Sequence, residues 1–432
     1  MSKGKRILII TYYWPPSGGA GVQRWLKFVK ALSKKGWEPV IYTPENPEYP
    51  SIDESMLAEV PEGIELLKTP IWEPFELYKR FSSKNKKEKI NAGFLSEDGQ
   101  KNKWTQNLSI WIRGNFFIPD ARKFWIKPSV KYLKNYLSEN PVDYIITTGP
   151  PHSMHLIGLG LKKRFAKIPW VADFRDPWTN IDFYKDLKLT KLADKKHHKQ
   201  ERAVLTKADA VITIGNTMKL EFDELGGNNV HVITNGFDEA DLPKEHPGKD
   251  PKFSIAHIGT LNASRNPQIL WEALDGLFKN RPELKERIEI KLVGKVDVSV
   301  KNEIKAHGLE ACLNLIPYLK HEEAIKEQMK SHLLLLMINN TPNAKGILTG
   351  KMFEYISSGS YIMGIGPKDG DAALVLAESK SGEMFGYEDK EDIQRFLEKQ
   401  LESNEPYKPG NISAYSRTAL TDKLIELLEG LN

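Results

Sequence analysis

The chain has 432 residues, of which 40% are hydrophobic and 28% charged, a composition typical of a soluble protein with two or three domains. The net charge of +5, from 62 basic and 57 acidic residues, is too small to indicate nucleic-acid binding. The single cysteine, Cys312, excludes an intramolecular disulfide and any cysteine-based zinc site.

No targeting or membrane-spanning segment is expected. The apolar run that follows Lys5-Arg6 is interrupted at Trp14-Pro15-Pro16, which a signal peptide would not tolerate. The apolar run from Leu333 to Ile338 has only the length of a strand. We therefore predict a cytoplasmic protein that is at most peripheral to the inner face of a membrane.

The chain opens with a β-α-β pattern. An apolar strand at residues 6–13 leads into the glycine-rich loop 14–21, and a helix and a second strand at 39–42 follow. The loop lacks the dinucleotide fingerprint G-x-G-x-x-G. Gly18 and Gly19 would let a ligand approach the backbone closely, but glycines also serve ordinary tight turns.

Residues 45–128 are predicted to be an insertion. Its first part, 45–102, is broken by prolines and then rich in lysine, which indicates either a solvated loop or a contact with anionic lipid. Its second part, Trp104 to Pro128, alternates aromatic and cationic residues. That alternation suits a lipid headgroup, and it is equally typical of aromatic residues that fill a core.

Two polar loops follow neighbouring strands. The strand at 143–148 precedes His152 and His155, and the strand at 170–174 precedes Arg175 and Asp176. Ligands of open α/β sheets bind at the carboxyl ends of the strands, so the two loops are candidates for one site. Alternatively, the histidines are capping or packing residues, and the arginine and aspartate pair with each other.

A second α/β pattern begins after a charged linker at 239–252. A strand at 253–258 is followed by Gly259, a tight loop and Arg265, whose guanidinium is placed for a phosphate. Further buried strands are predicted at 288–293, 313–319, 333–338 and 361–365, and the C-terminal stretch from Ala414 reads as a helix.

The stretch from Ile347 to Gly366 combines a turn, a short helix and a strand. A helix that begins at Thr349 and Gly350 would present free backbone N–H groups, which with Lys351 suit a phosphate. Glu354 lies one turn further along the same face and could accept hydrogen bonds from ribose hydroxyls. The alternative is an ordinary surface pair of lysine and glutamate.

These patterns predict an α/β protein with two Rossmann-like, doubly wound domains that face a ligand-binding cleft. The N-terminal domain is expected at 1–240 and the C-terminal domain at 241–413. A helix at 414–432 is expected to pack back on the N-terminal domain.

The order of these motifs resembles the GT-B glycosyltransferases, in particular the retaining, GT4-like family known as glycosyl transferases group 1. The resemblance spans almost the whole chain. It is carried by residues 14–21, 150–152, 173–178, 234–238, 259–261, 350–355 and Gly359.

The resemblance implies a nucleotide-diphosphate sugar as donor, a glycan or lipid-linked glycan as acceptor, and no metal or further cofactor. Glu354 would bind the ribose, and Arg265 and Lys351, with the amides of Thr349 and Gly350, would neutralise the diphosphate. Tyr318 would border the base, and Gly259 would also belong to the donor site. The remaining implied positions lie in the N-terminal domain: His152 at the reacting centre, Asp176 at the acceptor, and Gly18 and Gly19 near the phosphates or acceptor.

The sequence departs from the family at one position. Such families often carry a second glutamate eight positions before the ribose-binding one, and here that position is Gly346. Backbone groups of residues 343–347 would have to take its place. Two other functions stay open: a nucleotide-sugar epimerase that uses Asp173 and Asp176 as acid and base, and a binding subunit without catalytic activity.

Overall fold

The computed structural model describes residues 4–74, 103–243, 245–403 and 407–431. The chain divides into two compact units. Unit 1 comprises Met1–Thr234 and Thr421–Asn432, and unit 2 comprises Asn235–Leu420. For comparison, the sequence suggested boundaries at 240 and 413. The lysine-rich run after residue 75 lies outside the described residues.

Unit 1 contains a parallel sheet of seven described strands in the order β3-β2-β1-β4-β5-β6-β7. The inner strands are buried and mostly apolar, as expected when helices cover both faces of a parallel sheet. The strands are β1 (Arg6–Ile10), β2 (Glu38–Pro44), β3 (Glu65–Thr69), β4 (Tyr144–Gly149), β5 (Trp170–Phe174), β6 (Ala210–Thr213) and β7 (Val230–Val232).

Helices connect these strands. The described helices that begin in unit 1 are α1 (Ala20–Lys34), α2 (Lys103–Phe116), α3 (Lys123–Glu139), α4 (Ser153–Lys162), α5 (Lys191–Lys207) and α6 (Asn216–Glu224). Gly36 has φ +82° just beyond α1, the left-handed conformation that ends a helix with little strain when the residue is glycine.

Unit 2 repeats this architecture with six described parallel strands in the order β10-β9-β8-β11-β12-β13. Its apolar strands and helices share one core, in which Trp271, Leu335 and Met363 are fully buried. The strands are β8 (Phe253–Ile258), β9 (Ile288–Val293), β10 (Leu313–Ile316), β11 (Leu333–Met337), β12 (Tyr361–Ile365) and β13 (Gly382–Phe385).

The described helices that follow in the chain are α7 (Gln268–Asn280), α8 (Val298–Ala306), α9 (His321–Lys330), α10 (Gly350–Ser357), α11 (Asp371–Ser379), α12 (Lys390–Glu402) and α13 (Arg417–Glu429). Helix α13 contains the boundary between the two units. None of the described helices is long and apolar enough to cross a bilayer.

The prediction of two doubly wound α/β sheets is confirmed, with differences at the edges. The expected insertion contributes edge strand β3, which pairs with β2 and has too few apolar residues to be recognised. Edge strand β13 was also missed. The strand expected at 313–319 ends at Ile316, because Pro317 cannot continue the ladder.

Candidate functional site

The order of the strands places the candidate site of unit 2. Strand β8 lies between β9 and β11. The chain adds β9 and β10 on one side of β8 and then adds β11, β12 and β13 on the other side, so the direction in which strands are added reverses. This reversal creates a crevice beyond the carboxyl ends of β8 and β11, where doubly wound sheets bind ligands. Gly259 and Arg265 follow β8, and Lys351 belongs to the helix that follows β11.

Gly259 and Lys351 are in contact at this crevice. Gly259 has φ +116°, and a Cβ atom there would lie 2.5 Å from Nζ of Lys351. Any other residue would therefore be strained and would also displace the lysine. The same ammonium lies 3.3 Å from Nε2 of His257, a buried residue of β8.

Helix α10 begins beside this lysine. Thr349 is its N-cap residue and makes no side-chain capping bond, and its Oγ1 has no hydrogen-bond partner among the described residues. A Cβ at Gly350 would meet no atom within 4 Å, so the start of the helix is open. An anion can therefore reach the backbone N–H groups of the first turn.

Arg265 adds a second cation. Its Nε donates a 2.9 Å hydrogen bond to Oδ1 of Asn339, a residue just beyond β11, which fixes the guanidinium near the crevice. The pKa of Lys351 is lowered from 10.5 to about 8, first by burial and then by the charge of Arg265, while Glu354 opposes the change. Two neighbouring cations with this mutual repulsion would be stabilised by a doubly charged anion.

Glu354 lies one turn after Lys351 and is partly buried. Burial raises the pKa of its carboxyl, against the opposing effects of His321 and of a hydrogen bond from the Gln328 side chain. Gln328 is itself buried, and its amide N–H group faces the Glu354 carboxylate, to which it donates this hydrogen bond. The Oε1 atom of Gln328 has no partner among the described residues. Ser358, one turn further on, does not lie on the open face, because its Oγ donates to the Tyr355 carbonyl in the interior.

Two other predicted positions of unit 2 lie near the carboxyl edge of its sheet. Tyr318 follows β10 with 85% of its side chain exposed, so its ring is accessible to a ligand. Residues 344–346 form a single 3-10 turn, in which the Gly346 N–H donates to the Asn343 carbonyl.

In unit 1, the glycine loop follows β1, and β1 is the neighbour of β4 in the sheet. The Gly18 N–H donates a 3.0 Å hydrogen bond to the Ser51 carbonyl, and a Cβ at this position would press on Ser51 and Asp53. Gly18 therefore serves close packing. Gly19 is exposed, has φ +92° and is the N-cap residue of α1.

The two histidines beyond β4 have different environments. His155 is fully buried. Its Nδ1 forms a 2.9 Å hydrogen bond with the Thr147 hydroxyl, and its ring stacks on that of Phe174. The ring of His152 stacks parallel to that of Trp178, with 4.7 Å between the ring centroids, and 8% of the residue is exposed to solvent. Its Nδ1 has no hydrogen-bond partner among the described residues. Burial lowers the pKa of His152 well below its usual value, which keeps its ring neutral.

Asp173 lies in a buried network of hydrogen bonds. Its carboxylate accepts hydrogen bonds from Arg24, the Trp25 indole at 2.8 Å and the Thr148 hydroxyl at 2.8 Å, and it is fully buried. Arg24 in turn donates to the Ile233 carbonyl at 2.8 Å. This network ties β5 to α1 and to the end of β7.

Asp176 differs from Asp173. Its side chain is exposed, although protein surrounds it closely enough that desolvation raises the pKa of its carboxyl to about 6, against the attraction of Arg175. Arg175 donates to the carbonyls of Gly21 and Pro150. It therefore braces the glycine loop of unit 1 against the loop beyond β4, a role that the sequence did not indicate.

Sequence reasoning missed the residues that hold the candidate ligand groups in place: His257, Asn339 and Gln328 in unit 2, and Arg24 in unit 1. His257 and Asn339 carried one weak signal, since each lies at the carboxyl end of a predicted strand. Gln328 and Arg24 lie on helices whose contacts depend on distant parts of the chain.

Comparison with known proteins identifies the fold and a similar family. The family model described as Glycosyltransferase Family 4 matches residues 96–241. The chain has the GT-B fold, and its residues 96–241 are similar to Glycosyltransferase Family 4. A search of curated protein sequences found no significant match for this chain.

Solved structures match this GT-B protein over nearly its whole length. Sucrose-phosphate synthase from Thermosynechococcus elongatus has a TM-score of 0.57 and 13% identity, with 99% of each chain covered. The apo form of the lipopolysaccharide outer core galactosyltransferase WaaB has a TM-score of 0.59 and 12% identity, covering 98% of this chain and 99% of its own. A protein described as a UDP-N-acetylglucosamine 2-epimerase from Listeria monocytogenes has a TM-score of 0.55 and 12% identity, covering 99% and 96%. At these identities the likeness concerns the fold.

Proposed function

We propose that this protein is a retaining glycosyltransferase that moves a sugar from a nucleotide-diphosphate donor to an acceptor hydroxyl. The observation that carries the proposal is the arrangement of Arg265 and Lys351 around the open start of α10, with Glu354 one turn away. Two cations and a helix N-terminus suit a diphosphate, and a carboxylate at this distance suits the hydroxyls of the attached ribose. The family match of unit 1 supports the same assignment.

In this proposal the protein places positively charged side chains where negative charge develops during the reaction. When the bond between the sugar and the diphosphate breaks, negative charge grows on the departing phosphate, and Lys351 and Arg265 stabilise it. These side chains take the place of a metal ion, so we expect turnover to survive a metal chelator. The acceptor would attack from the same face as the leaving group, which keeps the anomeric configuration.

Unit 1 would hold the acceptor. The neutral ring of His152 can donate or accept a hydrogen bond with a sugar hydroxyl, and the exposed carboxylate of Asp176 can orient an acceptor hydroxyl or handle its proton. The burial of Asp173 in a saturated network removes one of the two carboxylates that an epimerase would need. That observation favours transfer over epimerisation.

A stepwise assay tests the assignment. Thermal-shift measurements with UDP, GDP and TDP should identify a nucleotide that raises the melting temperature of the wild-type chain and not of Lys351→Ala. Incubation of the matching nucleotide sugar with candidate glycan and lipid-linked acceptors should then release the nucleoside diphosphate and give a product of unchanged anomeric configuration. Conversion of the sugar with the ester intact would establish an epimerase instead, and binding without turnover would establish a silent subunit.

We also propose that unit 1 makes a peripheral contact with an anionic membrane. The segment 104–128 divides into a buried and an exposed part. Trp125 is buried against Tyr42, and Arg122 pairs with Glu73 at 2.9 Å, so both belong to the core. The side chain of Trp104 lies outside the described residues.

The exposed part of this segment forms a continuous aromatic patch. The ring of Trp72 meets that of Phe124 edge-on at 4.8 Å, and Nζ of Lys123 lies 4.9 Å from the Phe124 centroid. Lys123 also donates to the carbonyl of Phe116, whose ring lies 5.7 Å from that of Trp111. The pKa of Lys123 is lowered mainly by burial and also by the charge of Lys196, which is therefore nearby. Exposed rings among clustered cations complement a surface of anionic headgroups.

Vesicle flotation tests this contact independently of catalysis. The wild-type chain should float with phosphatidylglycerol vesicles, less so at high salt, and not with phosphatidylcholine alone. Phe116→Ser combined with Phe124→Ser should abolish flotation, whereas Val298→Ser combined with Leu374→Ser, which removes exposed apolar groups in unit 2, should not. Equal flotation of the two double variants, or none for the wild-type chain, would refute the contact.

A further inference from the structure

We propose that His257 is a positioning residue that holds the Lys351 ammonium over Gly259, ready for the diphosphate. The inference rests on the proposed function for its purpose, but its geometry stands by itself. His257 lies on β8, next to β11 at the point where the strand order reverses, and its side chain is 3% exposed. It is therefore fixed by the sheet, whereas Lys351 has a long and flexible side chain.

The hydrogen bonds of the His257 ring determine what it can offer. Nδ1 lies 3.1 Å from the carbonyl oxygen of Leu335 on β11. A carbonyl only accepts, so Nδ1 carries the proton, and Nε2 of a neutral ring presents a lone pair. This Nε2 is the atom that lies 3.3 Å from Nζ of Lys351. The sheet thus presents an uncharged acceptor to the ammonium.

The ring must stay neutral for this contact to be attractive. The pKa of His257 is lowered to about 4, first by burial and then by the positive charges of Lys351 and Arg265, while hydrogen bonds to the backbone of Leu335 and Thr260 oppose the change. The charged groups that face Lys351 are Arg265, which disfavours its ammonium, and Glu354, which favours it. His257 therefore adds to the groups that keep Lys351 protonated without adding charge to the crevice.

The position of the ammonium follows from two contacts. Gly259 leaves the space in which Lys351 lies, and His257 supplies the hydrogen bond that holds it there. One of the three N–H groups of Lys351 is then directed to the imidazole, which leaves the others for phosphate oxygens. Loss of the acceptor would make the charged lysine harder to keep at this site.

Competitive acetylation of the ligand-free protein, read by mass spectrometry at Lys351 over a range of pH, measures the pKa of this lysine directly. His257→Leu should lower that pKa by roughly one, a tenfold change in the protonation equilibrium, because a hydrogen bond to a charged group is lost. His257→Gln, which retains an acceptor oxygen, should keep the wild-type value. His332→Gln is the matched control, since His332 accepts from Ser254 and has no contact with Lys351.

The same variants should change the pH dependence of nucleoside-diphosphate binding. The alkaline loss of affinity should begin about one pH unit lower in His257→Leu than in the wild-type chain, and it should not move when Lys351→Arg is also present. If no diphosphate binds the wild-type chain, the proposed function fails, while acetylation still decides the role of His257. An unchanged Lys351 pKa in His257→Leu would overturn the inference.

If His257→Leu does not fold, histidine-labelled wild-type protein still provides a test. Nitrogen NMR near neutral pH should show His257 protonated at Nδ1 and unprotonated at Nε2. A proton on Nε2 would leave no acceptor for Lys351, and the inference would be wrong.

Discussion

The depressed pKa of Lys351 predicts that nucleotide binding weakens in a pH range where an ordinary lysine would stay charged. With a pKa of about 8, the charged fraction of Lys351 falls from about nine-tenths near pH 7 to about one-tenth near pH 9. If the diphosphate requires the ammonium, its dissociation constant should rise roughly tenfold over that range. Lys351→Arg should remove this dependence, because a guanidinium stays charged throughout.

Titration calorimetry in buffers of different ionisation enthalpy measures both the affinity and the proton uptake. Near pH 9 the wild-type chain should take up close to one proton for each nucleotide bound, and the arginine variant should take up about none. An affinity of the wild-type chain that stays constant from about pH 7 to 10 would refute the role of the ammonium.

The same shift has a consequence for stability, with a defined sign. The pKa of Lys351 is lowered by folding, so between about 8 and 10.5 the unfolded chain binds more protons and the free energy of unfolding rises with pH. Below that window the cost of the buried charge is fully present. Lys351→Met should therefore raise the free energy of unfolding at neutral pH by roughly 1–3 kcal/mol while it abolishes nucleotide binding.

Four further substitutions and one control variant test separate parts of the structure. Gly259→Ala should reduce nucleotide affinity at least tenfold, because its methyl group displaces the lysine ammonium, whereas Gly359→Ala, also at positive φ but with no atom within 4 Å, should only lower the melting temperature. Glu354→Ala should weaken nucleotide binding by roughly 1–3 kcal/mol, and unchanged calorimetry would count against the ribose contact. Asp173→Asn should destabilise the chain by about 3–5 kcal/mol in urea unfolding, since Arg24 would lose its buried partner, and a loss of turnover at full stability would contradict this structural role. His152→Ala should lower turnover at a nearly unchanged melting temperature, and a collapse of that temperature would instead indicate a packing role.

The sequence predicted the two sheets because their inner strands are continuous apolar runs, a local signal that parallel packing requires. It also predicted α10 with its N-terminus at Thr349 and its glycine stop, since Gly359 has φ +73° as a residue after a helix requires. Edge strand β3 was not recognised because three of its five residues are exposed and it has too few apolar residues to stand out from a loop.

The candidate residues were found from sequence where they stood next to a recognisable helix start or strand end, as Lys351 and Arg265 do. The residues that hold these candidates in position were not found from sequence, because their contacts join segments that are far apart along the chain. Asp173 and Arg24 are 149 residues apart, and His257 and Lys351 are 94 apart. Local patterns report what one segment prefers, whereas the partner of a buried charge depends on which strands become neighbours. For this reason the sequence could name the residues that would touch a diphosphate, and only the tertiary structure separated the structural Asp173 from the exposed Asp176 and showed what holds Lys351 in place.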